Sequence, residues 1–273
     1  MPEYSFAIEC DPTVTHNSTL PGFNYETDSP KPTNYHKMKT DLCEDRGVFL
    51  FHIFGYDWSN RKDVIKSMLR NILNANSDKI FARNTEINLV SDLDSMTFLN
   101  QNHRQGGAHS SIRIGLYHSG ELVSLMTFSK MRNTIGKNSV TNVENTYELV
   151  RFCNKLNTSV VGGASKLFTY FIKNYNPVEI RSFSDRAHTR GKLYSKLGFT
   201  YSHTLDPGYM WVDFKTDTAY SRNNAQKHNL VKFLKDPSID LNKTEVEIMS
   251  AHGYVQVFDS GVCLWIWRKE DNQ

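Results

Sequence analysis

The longest apolar stretch in the chain runs from Val48 to Phe54, and its length decides what it can become. It is far short of the ~18 apolar residues that cross a bilayer. It suits instead a central strand covered on both faces. A chain with such a strand needs further layers to bury it, and 273 residues are enough for about two domains. Hydrophobic content of 39% with 22% charged residues excludes a disordered chain or a fibrous repeat. No basic-then-apolar segment opens the chain at Met1, so a cytoplasmic protein without a membrane partner is expected. Cys10, Cys43, Cys153 and Cys263 lie far apart without C-x-x-C spacing and read as reduced thiols. A net charge of +3 permits nucleic-acid binding without demanding it.

The fold class expected from the pattern is α/β (α+β). Residues 4–11 alternate as a strand with Glu9 and Asp11 on one face, and Pro12 ends it before an irregular loop to about Pro32. Tyr35 to Glu44 fits a short helix with Met38 and Leu42 inward. After the apolar strand, Ser59 is placed to cap a helix that buries Val64, Ile65, Met68, Leu69, Ile72 and Leu73. The same helix turns Arg61, Lys62, Lys66 and Arg70 outward. Polar Asn74 to Lys79 marks a seam, placed near residue 78. Beyond it come a strand (80–89), a helix (92–102) and a hairpin joined by His118-Ser119-Gly120. A strand (146–152), a Gly-rich turn into a helix, a strand (179–183), a helix (190–197) and a strand (209–214) follow. The end of the chain reads as a short helix (245–252) and a strand pair, 254–258 with 262–267. The expected domains are 1–78, 79–216, and an extension 217–273 packed on the second domain.

Two features of the middle region carry chemistry. Gly162 and Gly163 before a helix let the backbone approach a ligand, and free N–H groups at a helix start suit a phosphate. Leu193-Tyr194-Ser195-Lys196-Leu197-Gly198-Phe199 resembles the L-Y-x-K-x-G-F signature of the GNAT acyltransferase superfamily. The element order of 80–215 agrees with it. That resemblance implies acetyl-CoA on Val161, Gly162, Gly163, Ala164, Ser165 and Lys166, with Tyr194 as the acid that protonates the leaving thiolate. The turn lacks the first basic or amide residue of the GNAT pattern. Glu148 to Cys153 and Ser184-Asp185-Arg186 look closest to Mom-like proteins that modify DNA bases. By strand alternation Glu148 and Arg151 fall on opposite faces unless a bulge intervenes.

In the first region, Glu9 and Asp11 on one strand face are able to share a divalent metal such as Mg2+ with a DNA phosphate. His36 and Lys39 lie one helical turn apart and offer a base and a cation for developing charge. The order of Ile8 to Ser18, Asn34 to Thr40, Val48 to Phe54 and Asp57-Trp58 resembles Vsr-like (EDxHD) nucleases of the PD-(D/E)XK fold. Catalytic roles for Glu9, Asp11, His16, His36 and Lys39 follow from that resemblance. The two halves together resemble Hef-type phage homing endonuclease-like proteins, which implies a phage-infected bacterial host. Only a few residues precede Glu9, so the nuclease half is expected to be short by one strand, completed by a homodimer or a partner chain.

Three functions compete on this reading. The first is metal-assisted hydrolysis of double-stranded DNA, held by Arg61, Lys62, Lys66, Arg70, Arg186 and Lys227. The second is CoA-dependent N-acylation of a nucleobase or small amine. The third is a non-catalytic DNA-binding or inhibitor module.

Overall fold

The computed structural model describes residues 5–19, 30–131 and 144–272. Tyr4 and the middle of the loop expected before Pro32, residues 20–29, lie outside them. In chain order the elements are β1 (Phe6–Asp11), α1 (Tyr35–Glu44), β2 (Phe49–Phe54), α2 (Gly55–Ile72), β3 (Asp78–Phe81), β4 (Glu86–Leu89), α3 (Asp92–Asn102), β5 (Ile112–His118) and β6 (Glu121–Lys130). There follow β7 (Thr146–Asn154), β8 (Thr158–Val161), α4 (Gly163–Tyr175), β9 (Glu179–Asp185), α5 (Lys192–Lys196), β10 (Thr200–Thr204), β11 (Tyr209–Asp213) and β12 (Ala219–Ser221). The last elements are α6 (Leu230–Leu234), α7 (Glu245–Ala251), β13 (Tyr254–Phe258) and β14 (Val262–Arg268).

The chain forms two compact units that do not follow the expected cuts at 78 and 216. The first is built from Met1–Lys62, Asp185–Arg190 and Thr204–Val262, the second from Asp63–Ser184, Gly191–His203 and Cys263–Gln273. The stretch expected as an extension on the second domain therefore belongs to the first unit as far as Val262. Continuous composition along the chain hides such a re-entry. The strand pair expected at the end is likewise corrected: β13 pairs with β11, while β14 joins a different sheet.

In the first unit β1 and β2 pair in parallel, Glu9 opposite His52 and Asp11 opposite Phe54. A second sheet has the order β12-β11-β13. Side chains alternate across β11, so Val212 packs with Phe54, Tyr56, Ala187, Val255 and Val257, while Trp211 packs with Ala225, Leu230, Ile248 and Met249. Thr244 begins α7 with a capping box in which its side chain and that of Glu247 satisfy each other's backbone N–H groups. Ser59 is not a cap, because α2 already begins at Gly55. Its Oγ donates to Asp217 Oδ2 at 2.7 Å.

The second unit is a mixed sheet of order β10-β14-β9-β7-β6-β5-β4 with helices on both faces. Ile114, Leu116, Met126 and Phe128 meet Leu167, Phe168 and Phe171 of α4 on one face; Leu125 meets Phe98 and Leu99 of α3 on the other. The expected strand 80–89 is broken. Its first half, β3, pairs with β8, and its second half, β4, pairs with β5. A 3-10 turn at Ala82–Asn84 separates them, held by Thr85 Oγ1 donating to the Ala82 carbonyl at 2.6 Å. The hairpin β5–β6 is as expected, with Ser119 and Gly120 both at positive φ (52° and 82°), as a two-residue type I′ turn requires.

Phe171 is 0% exposed and stacks on Phe128 with ring centroids 3.6 Å apart. Phe171→Ala is expected to cost about 3–5 kcal/mol in urea unfolding. Leu93→Ala, at a side chain 76% exposed, is expected to stay within about 0.5 kcal/mol.

Candidate functional site

The inward face of β1 carries Glu9 and Asp11, and Asp11 is 1% exposed. Pro12 then turns the chain: the N–H groups of Thr15 and His16 both donate to its carbonyl at 3.0 Å. The turn folds His16 back until its Nδ1 is 3.0 Å from Asp11 Oδ1. Helix α1 brings His36 to the same point, Nε2 lying 3.8 Å from Asp11 Oδ1 and 3.1 Å from His16 Nδ1. From β2, His52 places Nδ1 2.8 Å from Asp11 Oδ2, and Thr40 tethers its Nε2 at 2.9 Å. One carboxylate thus meets three imidazoles.

This placement corrects the expected orientation of α1. Met38 and Leu42 are 47% and 49% exposed, whereas His36 and Thr40 are buried. The inward face of the helix meets a polar cluster, so the side chains that complete that cluster take the buried side. Lys39 pairs with Glu9 and lies 4.9 Å from the Tyr35 ring, with Lys31 4.7 Å from the same ring. It therefore neutralises Glu9 rather than standing free for substrate charge.

Tautomers follow from the partners. His36 Nδ1 is 2.7 Å from the Phe258 carbonyl, which only accepts, so Nδ1 carries the proton and Nε2 presents a lone pair. Burial pulls His16 down to about 3 and both His36 and His52 down to about 4, so all three rings are neutral near pH 7. Burial pushes Asp11 up to about 6, against the pull of His36 and Lys39. Asp11 Oδ1 accepts no hydrogen bond, because the close His16 nitrogen lies off a hydrogen-bonding line, and Glu9 Oε2 is likewise buried without a donor. A proton on His16 Nδ1 is able to serve His36 Nε2 but leaves Asp11 Oδ1 unsatisfied. A cation among the three atoms satisfies all of them.

Ligand atoms of Asp11, His16 and His36 lie within 4.8 Å of one another, and so do those of Glu9, Asp11 and His52. Two imidazoles and one carboxylate suit a first-row transition metal or zinc better than Mg2+, which takes oxygen ligands. The expected metal pair, Glu9 with Asp11, recurs in the second group; Asp11 is common to both groups, and the histidines complete them.

Sequence reasoning missed His52 and His188, and it noted Asp57 and Asp185 only within resemblance motifs, without a role at this site. His52 gave a signal as the lone polar residue in an apolar run. His188 gave none, because it comes from a remote segment. Its Nδ1 is 3.1 Å from Asp185 Oδ2, and its Nε2, buried without a hydrogen bond, is 3.7 Å from Asp57 Oδ2.

The expected DNA contacts divide. Arg186 is buried and holds Asp41 at 2.6 Å and Glu44 at 2.5 Å, so it is an internal tie rather than a phosphate contact. Helix α2 is broken at Arg61 (φ −136°, ψ 26°), which interrupts the expected continuous basic face. Lys62 lies 5.0 Å from the Trp58 ring, Lys66 is half-buried, Arg70 donates to Asn157 at 2.7 Å, and Lys227 is exposed.

In the second unit, β7 and β9 are parallel and pair only from Thr146–Glu179 to Glu148–Arg181. The register against β6 shifts where Phe128 faces Leu149 and Thr127 faces Arg151, leaving Val150 as a bulge. Glu148 and Arg151 consequently share one face. Tyr194 of α5 stacks on Trp265 (5.4 Å, 12°), and its hydroxyl lies 3.2 Å from Ser182 Oγ and 3.3 Å from the Phe183 carbonyl. Burial pushes its phenol up.

At the glycine turn, Gly162 has φ +78°, and a Cβ on Gly163 would meet Val160 at 2.8 Å. Ala164 packs against the core, and Val161 and Ser165 are exposed. Lys166 Nζ donates to the Ala82 carbonyl at 2.8 Å and to Thr85. Internal packing accounts for Gly163, and Lys166 is already engaged.

No protein-family model and no curated protein matches the chain. Solved structures similar to it include a putative acetyltransferase of Salmonella typhimurium with its cofactor acetyl-CoA, at 10% identity over 68% of this chain and 94% of that one, TM-score 0.38. An N-acetyltransferase from Staphylococcus aureus Mu50 is 12% identical over 68% and 98%, TM-score 0.38. A GNAT family acetyltransferase from Elizabethkingia anophelis with acetyl-CoA bound is 10% identical over 68% and 98%, TM-score 0.36. Among the described residues no helix is long and apolar enough to cross a membrane.

The depressed histidines contribute stability that is present above pH 6.5 and lost as pH falls through about 4 for His36 and His52 and about 3 for His16. Asp11 works in the opposite sense, its contribution being present below 3.8 and lost as pH rises through about 6. Three groups outweigh one, so Tm in EDTA is expected to fall between pH 6.5 and 4.5. Calorimetry showing a flat or rising Tm over that range would contradict the assignment.

Proposed function

We propose that the first unit is a metal-dependent hydrolase of phosphodiesters in double-stranded DNA, with Asp11, His16 and His36 holding the metal. The observation that carries this reading is Asp11 Oδ1, buried without a hydrogen bond and facing two neutral imidazole nitrogens. A divalent cation there supplies Lewis acidity toward a phosphate oxygen and lowers the pKa of water. The chain's own residues do the positioning. The Phe258 carbonyl fixes the His36 tautomer and ring direction, and His52, tethered by Thr40, holds the other Asp11 oxygen. Lys39 keeps Glu9 neutralised beside them. Exposed cations such as Lys62 and Lys227 are available to the DNA backbone, and binding through them weakens with salt. The resemblance to Vsr-like nucleases supplies the substrate class.

The test is incubation of the chain with supercoiled plasmid in Mn2+, Co2+, Zn2+ or Mg2+. Cleavage is expected with a transition metal, reduced at least about a hundredfold by Asp11→Ala or His36→Ala and unchanged by Tyr194→Phe. Intact plasmid under every metal, or cleavage that survives both substitutions, overturns the reading. Salt-sensitive DNA binding without turnover would favour a non-catalytic DNA-binding module.

A second reading, CoA-dependent N-acylation by the second unit, is favoured by the parting of β7 from β9 beyond Glu148 with Tyr194 beside it. Tyr194 would then protonate the leaving thiolate. Calorimetry with acetyl-CoA is expected to show binding retained in Tyr194→Phe, while acyl transfer falls about ten- to a hundredfold or more. Absence of acetyl-CoA binding by the unsubstituted chain sinks this reading.

A further inference from the structure

Arg151 stands out in the second unit because its charge is taken partly out of water and, among the described residues, no carboxylate forms an ion pair with it. The bulge at Val150 turns it onto the same face as Glu148, just past the last paired residues of β7 and β9. Its protein contacts are carbonyls: Nη1 donates to Val150 at 2.8 Å and Nε to Gly106 at 3.5 Å. Among the described residues no carboxylate forms an ion pair with it, and Nη2 has no acceptor. Residues 132–143, outside the described set, contain no Asp or Glu.

The surroundings add to the imbalance. Burial and the neighbouring Arg104 both push against the charged form, and Glu148 and Tyr194 only partly offset them. A half-buried guanidinium facing a like charge is costly, and an oxyanion is the partner that matches its planar fork. The opposite strand contributes Thr127, whose hydroxyl is linked to Ser110 at 3.1 Å.

We propose that Arg151 anchors an anion-binding site at the parting of β7 and β9, taking a phosphate or carboxylate group of a small-molecule ligand. The site shares the parting of β7 and β9 with the acylation reading, but anion binding there does not depend on acyl transfer, and its test reads binding alone. It explains why an arginine with no ion-pair partner among the described residues occupies a half-buried strand position, where an apolar residue of similar length would be the more stable choice.

The test uses the full chain with inorganic phosphate in one arm and succinate in the other, followed by thermal denaturation and by the Arg151 Nε resonance in NMR. Saturable stabilisation and a shift of that resonance are expected in at least one arm, and the arm that responds identifies the anion. Arg151→Met is expected to raise Tm in anion-free buffer and to abolish the anion response. Arg151→Lys keeps the charge without the fork and is expected to bind about ten- to a hundredfold more weakly. No response from the unsubstituted chain overturns the proposal. So does an unchanged response in both variants, or a lower anion-free Tm for Arg151→Met, which would make Arg151 a structural brace.

Discussion

A carboxylate buried without a cation or a full set of donors costs several kcal/mol, and the first unit is arranged around one such group. Asp11 sits at the end of β1, and the elements that surround it each contribute a group to its neighbourhood: His16 from the turn after Pro12, His36 from α1 and His52 from β2. Those rings are themselves positioned by others. Phe258 comes from β13, and the Ser260 hydroxyl is hydrogen-bonded to that of Thr40 from α1 at 2.9 Å. The residue 185–190 segment adds the Ala187 carbonyl, which accepts the His52 N–H at 3.0 Å. Three separated stretches of chain thereby converge on one centre.

The second unit is organised by a different constraint, the bulge at Val150. An extra residue in β7 re-aims the side chains beyond it, placing Phe152 with the α4 core while Cys153 packs toward α3. Pairing with β9 ceases near the same point, and the Ser182 hydroxyl, donating to the Leu149 carbonyl at 2.9 Å, substitutes for the missing backbone bond. Ser182 also meets the Tyr194 hydroxyl. Strand pairing, bulge and tyrosine are thus mechanically linked within this unit.

Local signals made much of this legible. The bounds of α1 and α3 follow from their flanking sequence: Pro32 precedes the first, and the Ser91 side chain accepts the Asp94 N–H at the start of the second. The hairpin followed from Ser119-Gly120. At the centre, the alternation of β1 put Glu9 and Asp11 on one face and helical spacing joined His36 to Lys39, while His16 entered only through the resemblance to Vsr-like nucleases; ligand atoms of Asp11, His16 and His36 do lie together, and Glu9 and Lys39 do pair. What was not legible depends on distant partners. Apolar Met38 and Leu42 suggested the wrong face of α1 because hydrophobicity carries no information about a polar interior. Arg186 looked like a phosphate contact because Asp41 and Glu44 lie far away in sequence. The break between β3 and β4 arises from two competing pairings, with β8 and with β5, that periodicity does not weigh.

The central claim is that Asp11, His16 and His36 form a metal centre, and a Co2+ titration followed by X-ray absorption tests it most directly. One Co2+ per chain is expected, with a first shell containing two imidazole nitrogens at about 2.0–2.1 Å and carboxylate oxygen. The imidazole scattering should fall in His36→Ala. A shell of oxygen alone, or the same spectrum from His36→Ala and Asp11→Ala, would contradict the account.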